Sequence, residues 1–200
     1  FNTPDYMSSI IRSEGPDAYV ERTCRSLDQA DLRGKILLAF DEWNLRSWHH
    51  PTFQPHEKVD YDDPEIKRLI RARDKSLEPS LYTMADALFA ASFFNACLRN
   101  SDDIVMANIA PIVNQTGPLY VHPEGIVKRT HYHTFWMYAN LLQPNVVPIN
   151  VDSGGKLFAD GKSVDAVDAI ATVDLAGKNW SIALINRHPS KTASVHVRLG

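Results

Sequence analysis

The sequence predicts an α/β fold over residues 1–143 and an all-β region over residues 144–200. Two short apolar segments, 36–40 and 104–110, have the length and composition of strands buried on both faces of a parallel sheet. Apolar residues at helical spacing lie between and around these segments. Beyond residue 145 the pattern changes to the alternation that is typical of antiparallel strands. The domain boundary is therefore expected near residues 143–150.

Three helices are predicted in the first region from the spacing of its apolar residues. They cover residues 16–30, 82–99 and 125–142, with Pro16 suited to a first helical turn and Pro144 ending the last helix. The polar stretch 45–80 is predicted to be a long surface loop with one short helix over 64–73, and 111–124 to be a second loop. Both loops follow strands, so they are expected to border a ligand site.

The all-β region is predicted to contain strands over 164–172, 181–185 and 193–197. Short segments rich in Gly, Asp, Asn and Pro separate them and are predicted to form turns, at 159–161, 176–179 and 189–190.

Composition excludes several classes of function. The chain has 200 residues, of which 44% are hydrophobic, and a formal charge of −3, so nucleic acid is not an expected partner. No apolar run approaches the roughly 18 residues of a membrane span, and residues 1–6 do not resemble a signal peptide, so membrane attachment is not expected. Cys24 and Cys97 lie in helical patterns and are predicted to be free, buried thiols, which slightly favours a cytoplasmic location.

The segment Asp41-Glu42-Trp43-Asn44 directly follows the first apolar run. Catalytic side chains in parallel-sheet enzymes lie at the carboxyl ends of strands, and Glu42 occupies that position. Strict alternation along the strand places Asp41 on the opposite face from Glu42. The alternative is that Asp41 caps a following helix and that Glu42 is a solvated surface residue.

The segment Phe40–Asn44 resembles the nucleophile strand of the family 51 glycoside hydrolases, the α-L-arabinofuranosidases. Further segments resemble that family in the same order, namely 82–88, 106–114, 125–130 and 185–189. The resemblance implies the carboxyl-terminal part of a (β/α)8 TIM barrel, followed by part of an all-β sandwich domain. Such a barrel has eight strands and only two are predicted before the β region, so both domains are expected to be incomplete in this chain.

The resemblance implies that Glu42 is the nucleophile of a retaining glycosidase, which uses a second carboxyl group as its acid/base. That family carries the acid/base in an Asn-Glu pair, and this sequence contains no Asn-Glu dipeptide. The chain alone is therefore expected to be inactive. Asn44 and neighbouring loop amides are expected to supply the hydrogen bonds that keep the Glu42 carboxylate ionised.

Several other side chains are candidates for sugar binding. Trp43 offers an apolar face to a sugar ring, or instead packs against the next helix. Trp48 is predicted to form a pocket wall, because the aromatic residue of several relatives is replaced here by Arg46. His122 is the histidine expected near the substrate.

Asn114 and Gln115 are candidates for a contact that some family members make through a Gln, whose position matches Pro111 here. The alternative for both residues is that they satisfy backbone groups in the turn between Asn114 and Pro118.

No metal and no cofactor are predicted. His131 and His133 are two residues apart in a predicted helix, so they point to nearly opposite faces and cannot hold one ion. The remaining clustered histidines lie in a loop without a Cys or regularly spaced carboxylates; these are His49, His50 and His56.

The leading hypothesis is an exo-acting α-L-arabinofuranosidase that releases terminal arabinofuranosyl residues by double displacement. The resemblance implies an arabinose-containing plant-wall oligosaccharide or polysaccharide as partner, from arabinoxylan or arabinan, and a homo-oligomer, commonly a hexamer. One alternative is a different retaining barrel glycosidase. The other is a non-catalytic carbohydrate-binding or oligomerisation remnant.

Overall fold

The computed structural model describes residues 6–12, 15–45, 60–75, 82–114 and 116–198. The helices within these ranges are α1 (Tyr6–Ile11), α2 (Gly15–Gln29), α3 (Pro64–Lys75), α4 (Met84–Arg99) and α5 (Thr130–Leu141). The strands are β1 (Leu38–Trp43), β2 (Ile104–Ile109), β3 (Leu119–His122), β4 (Gly125–Lys128), β5 (Asn145–Val147), β6 (Lys156–Ala159), β7 (Lys162–Asp165), β8 (Val167–Val173) and β9 (Trp180–Asn186).

Strands β1 and β2 form a parallel pair that is connected through helix α4. A capping box begins α4: the Thr83 side chain accepts a hydrogen bond from the Ala85 amide, and the Asp86 carboxylate accepts one from the Thr83 amide. Phe89 and Phe93 of α4 are almost completely buried against the two strands. This α/β arrangement places the carboxyl ends of β1 and β2 side by side.

The all-β region has a three-stranded antiparallel sheet in the order β5-β8-β9 and a separate hairpin of β6 and β7. The hairpin packs on α1, where Ile10 and Ile11 contact Leu157 and Val164 in a second apolar core. Strand β8 packs on helix α4. Helix α4 therefore contacts both the parallel strands and the antiparallel sheet.

Buried polar groups join α4 to the antiparallel sheet. Asp168 of β8 accepts hydrogen bonds from Arg187 at 2.8 Å, from Arg99 at 2.8 Å and from Asn95 at 3.1 Å. Arg187 also donates from Nε to Ser92 Oγ at 3.1 Å. Ser92, Asn95 and Arg99 occupy one face of α4 because residues three and four positions apart are neighbours on a helix. The charges of Asp168 and Arg187 thus neutralise each other within the interface between α4 and the antiparallel sheet.

Several predicted elements differ in the structure. Strand β1 begins at Leu38 and continues through Glu42 to Trp43, so Glu42 lies within the strand and not after it. Residues 125–128, which helical spacing assigned to a helix, form β4 of a hairpin, and α5 begins only at Thr130. All four residues of β4 are exposed, so the apolar spacing of this segment does not mark a buried helical face.

The strand predicted over 193–197 is absent, and no other described segment pairs with it. Alternation alone does not make a strand, because the backbone groups need a partner ladder. Strands β5 and β6 were missed because both are short.

Helix α2, helix α4 and the free, buried state of Cys24 and Cys97 are confirmed. Across the described parts of the chain, no helix has both the length and the apolar character that crossing a membrane requires.

Candidate active site

The end of β1 contains a break in the strand register. Phe40 pairs with Ala107 and Trp43 pairs with Ile109, so Asp41 and Glu42 together stand opposite the single residue Asn108. Two residues facing one is the arrangement of a β-bulge. The bulge interrupts the alternation of side chains along β1.

The bulge determines which way Glu42 points. Leu38, Phe40 and Trp43 all pack into the core beneath α4, whereas Asp41 and Glu42 are both exposed. Strict alternation would have put Glu42 on the same face as Phe40, towards the helix. The extra residue interrupts the alternation on which the prediction of opposite faces for Asp41 and Glu42 rests, and both carboxylates are accessible. Glu42 lies near the carboxyl end of β1 and is exposed.

Trp43 follows the packing alternative and not the sugar-binding one. Its side chain is only 4% exposed, and its ring stacks on Phe93 with centroids 4.1 Å apart and planes 10° apart. Phe135 of α5 lies nearly parallel to it at 5.8 Å, and Phe94 meets it edge-on at 5.3 Å. No face of the indole is left for a ligand, so Trp43 is a core residue that anchors the end of β1.

Asn44 connects the end of β1 to the loop after β2. Its side-chain Nδ2 donates to the Thr116 carbonyl at 2.8 Å and to the Ala110 carbonyl at 3.3 Å. Thr116 Oγ1 lies 3.3 Å from the same nitrogen, and an amide nitrogen has only two hydrogens, so acceptors on Ala110 and Thr116 occupy both. The predicted donation from Asn44 to Glu42 is therefore not what the structure shows. Asn44 instead fixes the loop that borders the site.

Asn114 adopts the turn role that was the alternative to sugar binding. Its backbone has φ +57°, a left-handed conformation that Asn tolerates, and its Oδ1 accepts a hydrogen bond from the Val121 amide at 2.8 Å. The turn is tight, because a Cβ atom on Gly117 would lie 2.5 Å from the Ile112 carbonyl carbon. Only glycine fits this close approach.

His122 is exposed at the end of β3, where its Nδ1 accepts a hydrogen bond from the Glu124 amide at 3.2 Å. Its predicted place near the substrate stays a prediction. Two other candidates, Trp48 and Gln115, lie outside the described residues, as does Arg46.

A buried cluster beneath the β3–β4 hairpin was not identified as such from the sequence. Arg129, 2% exposed, donates to the Gly117 carbonyl at 2.8 Å, and its guanidinium lies 4.0 Å from the Tyr82 ring centroid and 5.1 Å from that of Tyr120. These cation–π contacts add to the hydrogen bond with Gly117 in holding the guanidinium in place. Arg129 and Tyr82 both fall in segments that carry the family resemblance, which was the available signal.

Two titratable groups lie next to this cluster. Burial raises the pKa of Asp86 to about 6, although its hydrogen bonds with Thr83 oppose the shift. Burial also lowers the pKa of His131 to about 4, and His131 stacks on Tyr82 with ring centroids 5.3 Å apart. His131 is buried and His133 is exposed, as their spacing predicts. Within the described residues there is no group of three or more potential metal ligands.

The family model that matches this chain is described as the α-L-arabinofuranosidase C-terminal domain, and it covers residues 41–199. A probable α-L-arabinofuranosidase C of Aspergillus niger is 24% identical over 95% of this chain and 36% of its own length. An intracellular exo-α-(1→5)-L-arabinofuranosidase of Streptomyces lividans is 27% identical over 98% of this chain and 28% of its own length. The chain thus spans about a third of these relatives.

Solved structures show the same fold. The family 51 arabinofuranosidase of Xanthomonas axonopodis pv. citri matches 94% of this chain and 35% of its own, with a TM-score of 0.69 and 22% identity. The thermostable enzyme of Thermotoga petrophila matches 92% of this chain and 36% of its own, with a TM-score of 0.63 and 25% identity. Together with the family model, these matches show that the chain belongs to the α-L-arabinofuranosidase C-terminal domain family of the family 51 glycoside hydrolases.

Proposed function

We propose that this chain supplies the catalytic nucleophile, Glu42, of a retaining α-L-arabinofuranosidase. The observation that carries the proposal is the exposed Glu42 side chain near the carboxyl end of β1, outside the apolar core that packs beneath α4. Asp41 is also exposed, but the family resemblance assigns the nucleophile to the Glu of the Asp-Glu-Trp-Asn string. The packing of Trp43 and the hydrogen bonds of Asn44 fix the end of this strand, which limits the movement of Glu42.

In the proposed first step, a carboxylate oxygen of Glu42 forms a bond to the anomeric carbon of a terminal arabinofuranosyl residue. The bond from that carbon to the leaving oxygen breaks, and the leaving oxygen takes a proton from the acid/base carboxyl group. In the second step water attacks the same carbon, gives its proton to the acid/base, and frees Glu42. Retention of configuration follows because the carbon is attacked twice.

We infer that the acid/base lies outside these 200 residues, because they contain no Asn-Glu pair. The proposed complete enzyme is a (β/α)8 barrel in which β1 and β2 are the last two strands, followed by a β-sandwich. The parallel pairing of β1 with β2 supports this proposal, as does the order β1-α3-α4-β2-β3-β4-α5, in which helices follow each of the two strands. The chain by itself is then expected to show no turnover.

The proposed substrates are arabinose-containing plant-wall oligosaccharides or polysaccharides, cleaved from their non-reducing ends. The name of the Streptomyces lividans relative, an exo-acting α-(1→5) enzyme, supports the exo mode of action. A homo-oligomer, with a hexamer as the leading assembly, is also part of the proposal, and light scattering of the longer protein tests it.

The test uses the longer protein that we propose, with its upstream strands present, and an aryl α-L-arabinofuranoside as substrate. Glu42→Ala and Glu42→Gln are expected to lower kcat by about three orders of magnitude or more. Glu124→Gln is the matched control, since Glu124 is also exposed and lies in the β3–β4 turn. Turnover that survives in both Glu42 variants would eliminate the assignment.

A second measurement locates the covalent bond. An arabinofuranosyl donor with a good leaving group and an electron-withdrawing 2-substituent forms the intermediate faster than it breaks down. Mass spectrometry of the digested protein is expected to find the added sugar on the peptide that contains Glu42. If the intact longer protein neither turns over nor becomes labelled, the non-catalytic remnant is the better description.

A further inference from the structure

Asn108 of β2 stands opposite the bulge that carries Glu42. Its neighbours Ala107 and Ile109 pack into the core beneath α4, whereas Asn108 itself is exposed. Asn108 and Glu42 are thus both exposed and stand opposite each other across the parallel pair. Adjacent strands lie about 4.8 Å apart, so an Asn amide on one strand is within hydrogen-bonding reach of a carboxylate on the next.

The Glu42 carboxylate lacks a donor among the residues that the structure describes, since no hydrogen bond or ion pair involves it there. A carboxylate that acts as a nucleophile must remain ionised and correctly aimed, and hydrogen-bond donors achieve both. Asn44 uses its two amide hydrogens on the Thr116 and Ala110 carbonyls. The donor must come from another residue.

Turning the Asn108 amide towards Glu42 breaks only a weak hydrogen bond. Its Nδ2 contacts the Met106 Sδ atom at 3.1 Å, and a thioether sulfur is a weak acceptor. Exchanging this contact for a carboxylate oxygen gives a charge-assisted hydrogen bond, which is roughly twice as strong as a neutral one.

We propose that Asn108 is a positioning residue that donates a hydrogen bond to the Glu42 carboxylate in the complete active site. Asn108 touches no reacting atom and acts only through Glu42. The inference rests on the proposed function, because it assigns Asn108 a task only if Glu42 attacks the substrate.

The first experiment compares Asn108→Leu, which keeps the size and removes the amide, with Asn108→Asp, which keeps the shape and adds a negative charge. In the longer protein, Asn108→Leu is expected to lower kcat/KM about 10- to 100-fold for an aryl arabinofuranoside, mainly through kcat. Asn108→Asp is expected to lose more, because its carboxylate repels Glu42. Asn140→Leu, at an exposed Asn of α5, is the matched control and should match the wild type.

Which of the two variants loses more kcat/KM distinguishes a hydrogen bond to Glu42 from a general requirement for a polar side chain at residue 108. A merely structural polar requirement at residue 108 would make Asn108→Asp the milder change. Finding that order, or finding Asn108→Leu within twofold of the wild type, would overturn the inference.

The second experiment removes Glu42 and asks whether Asn108 still matters. In Glu42→Ala, added azide attacks the anomeric carbon of an activated aryl substrate, and the aryloxide leaves. Asn108→Leu in this background is expected to change the azide-dependent rate less than twofold, because the carboxylate that it serves is gone. An additional loss as large as that in the Glu42 enzyme would refute an action through Glu42.

The same data distinguish the two hypotheses. Full activity of Glu42→Ala without azide overturns the proposed function and this inference with it. An inactive Glu42→Ala together with an unimpaired Asn108→Leu overturns only the role of Asn108.

Discussion

Removing the Asp168 carboxylate is expected to destabilise the protein strongly. Asp168 is 10% exposed in its side chain and Arg187 5%, and their closest atoms lie 2.8 Å apart. Asp168→Ala leaves the Arg187 guanidinium buried without its carboxylate, although the bonds of Arg187 to Ser92 Oγ and the Asp165 carbonyl remain. Breaking one side of a buried ion pair costs about 3 to 5 kcal/mol of unfolding free energy. That is a large share of the roughly 5 to 15 kcal/mol that holds a domain folded.

Urea denaturation followed by circular dichroism measures this change. With a slope of about 2 kcal/mol per molar urea, the expected loss moves the midpoint down by about 2 M. Asp28→Ala is the control, because Asp28 pairs with Arg33 at 3.1 Å on the surface, where ion pairs contribute little. Its midpoint should stay close to that of the wild type.

A double variant tests the reason for the loss. Asp168→Leu combined with Arg187→Met should be less destabilised than Asp168→Ala, because no buried guanidinium is left without its carboxylate and Arg99 keeps its ion pair with Asp17. A midpoint for Asp168→Ala that equals the Asp28→Ala control would refute the reasoning. So would a double variant whose loss is the sum of the two single losses.

The remaining predictions concern the core and the response to pH. Trp43→Ala should lower the unfolding free energy by about 3 to 5 kcal/mol in the same urea assay, because it empties the stack on Phe93; a loss below about 1 kcal/mol would contradict the burial of Trp43. Asp86, with its pKa raised to about 6, holds its proton more tightly in the folded state, so its contribution to stability is present at pH 4 and lost as the pH rises through 6. His131, with its pKa lowered to about 4, has the opposite sign, and its contribution is present above pH 6.5 and lost as the pH falls through 4. In Asp86→Asn the His131 effect is no longer offset, so the unfolding free energy should fall by about 3 kcal/mol as the pH drops from 6.5 to 4. In His131→Gln the Asp86 effect is no longer offset, so the unfolding free energy should rise over the same interval. Parallel curves of unfolding free energy against pH for the two variants would show that neither group titrates as described.

Helix α4 connects the two parts of the molecule. One face carries Ser92, Asn95 and Arg99 towards Asp168 and Arg187, and the other carries Phe89 and Phe93 towards Trp43. The same helix therefore contacts both the antiparallel sheet, including the Arg187 segment that resembles the family, and the end of β1.

Local patterns predicted the elements whose signal lies within their own sequence. The long apolar stripe of α4 is complete within one segment, so the spacing of its apolar residues alone predicted this helix to within two residues of its observed bounds. The hairpin of β3 and β4 was missed because its strands are only four residues long. Too few residues are available there for alternation to be distinguished from helical spacing.

The sequence by itself determined the order of helices and strands around Glu42, the family, and the absence of an Asn-Glu pair, because each of these is written in contiguous residues. Only the tertiary structure decided which way the side chains at the end of β1 point. The bulge opposite Asn108 places Trp43 in the core and both carboxylates outside it, and Asn44 bonds to the loop after β2. These outcomes depend on the register between two strands more than 60 residues apart, and register is set by packing against α4, which no local pattern contains.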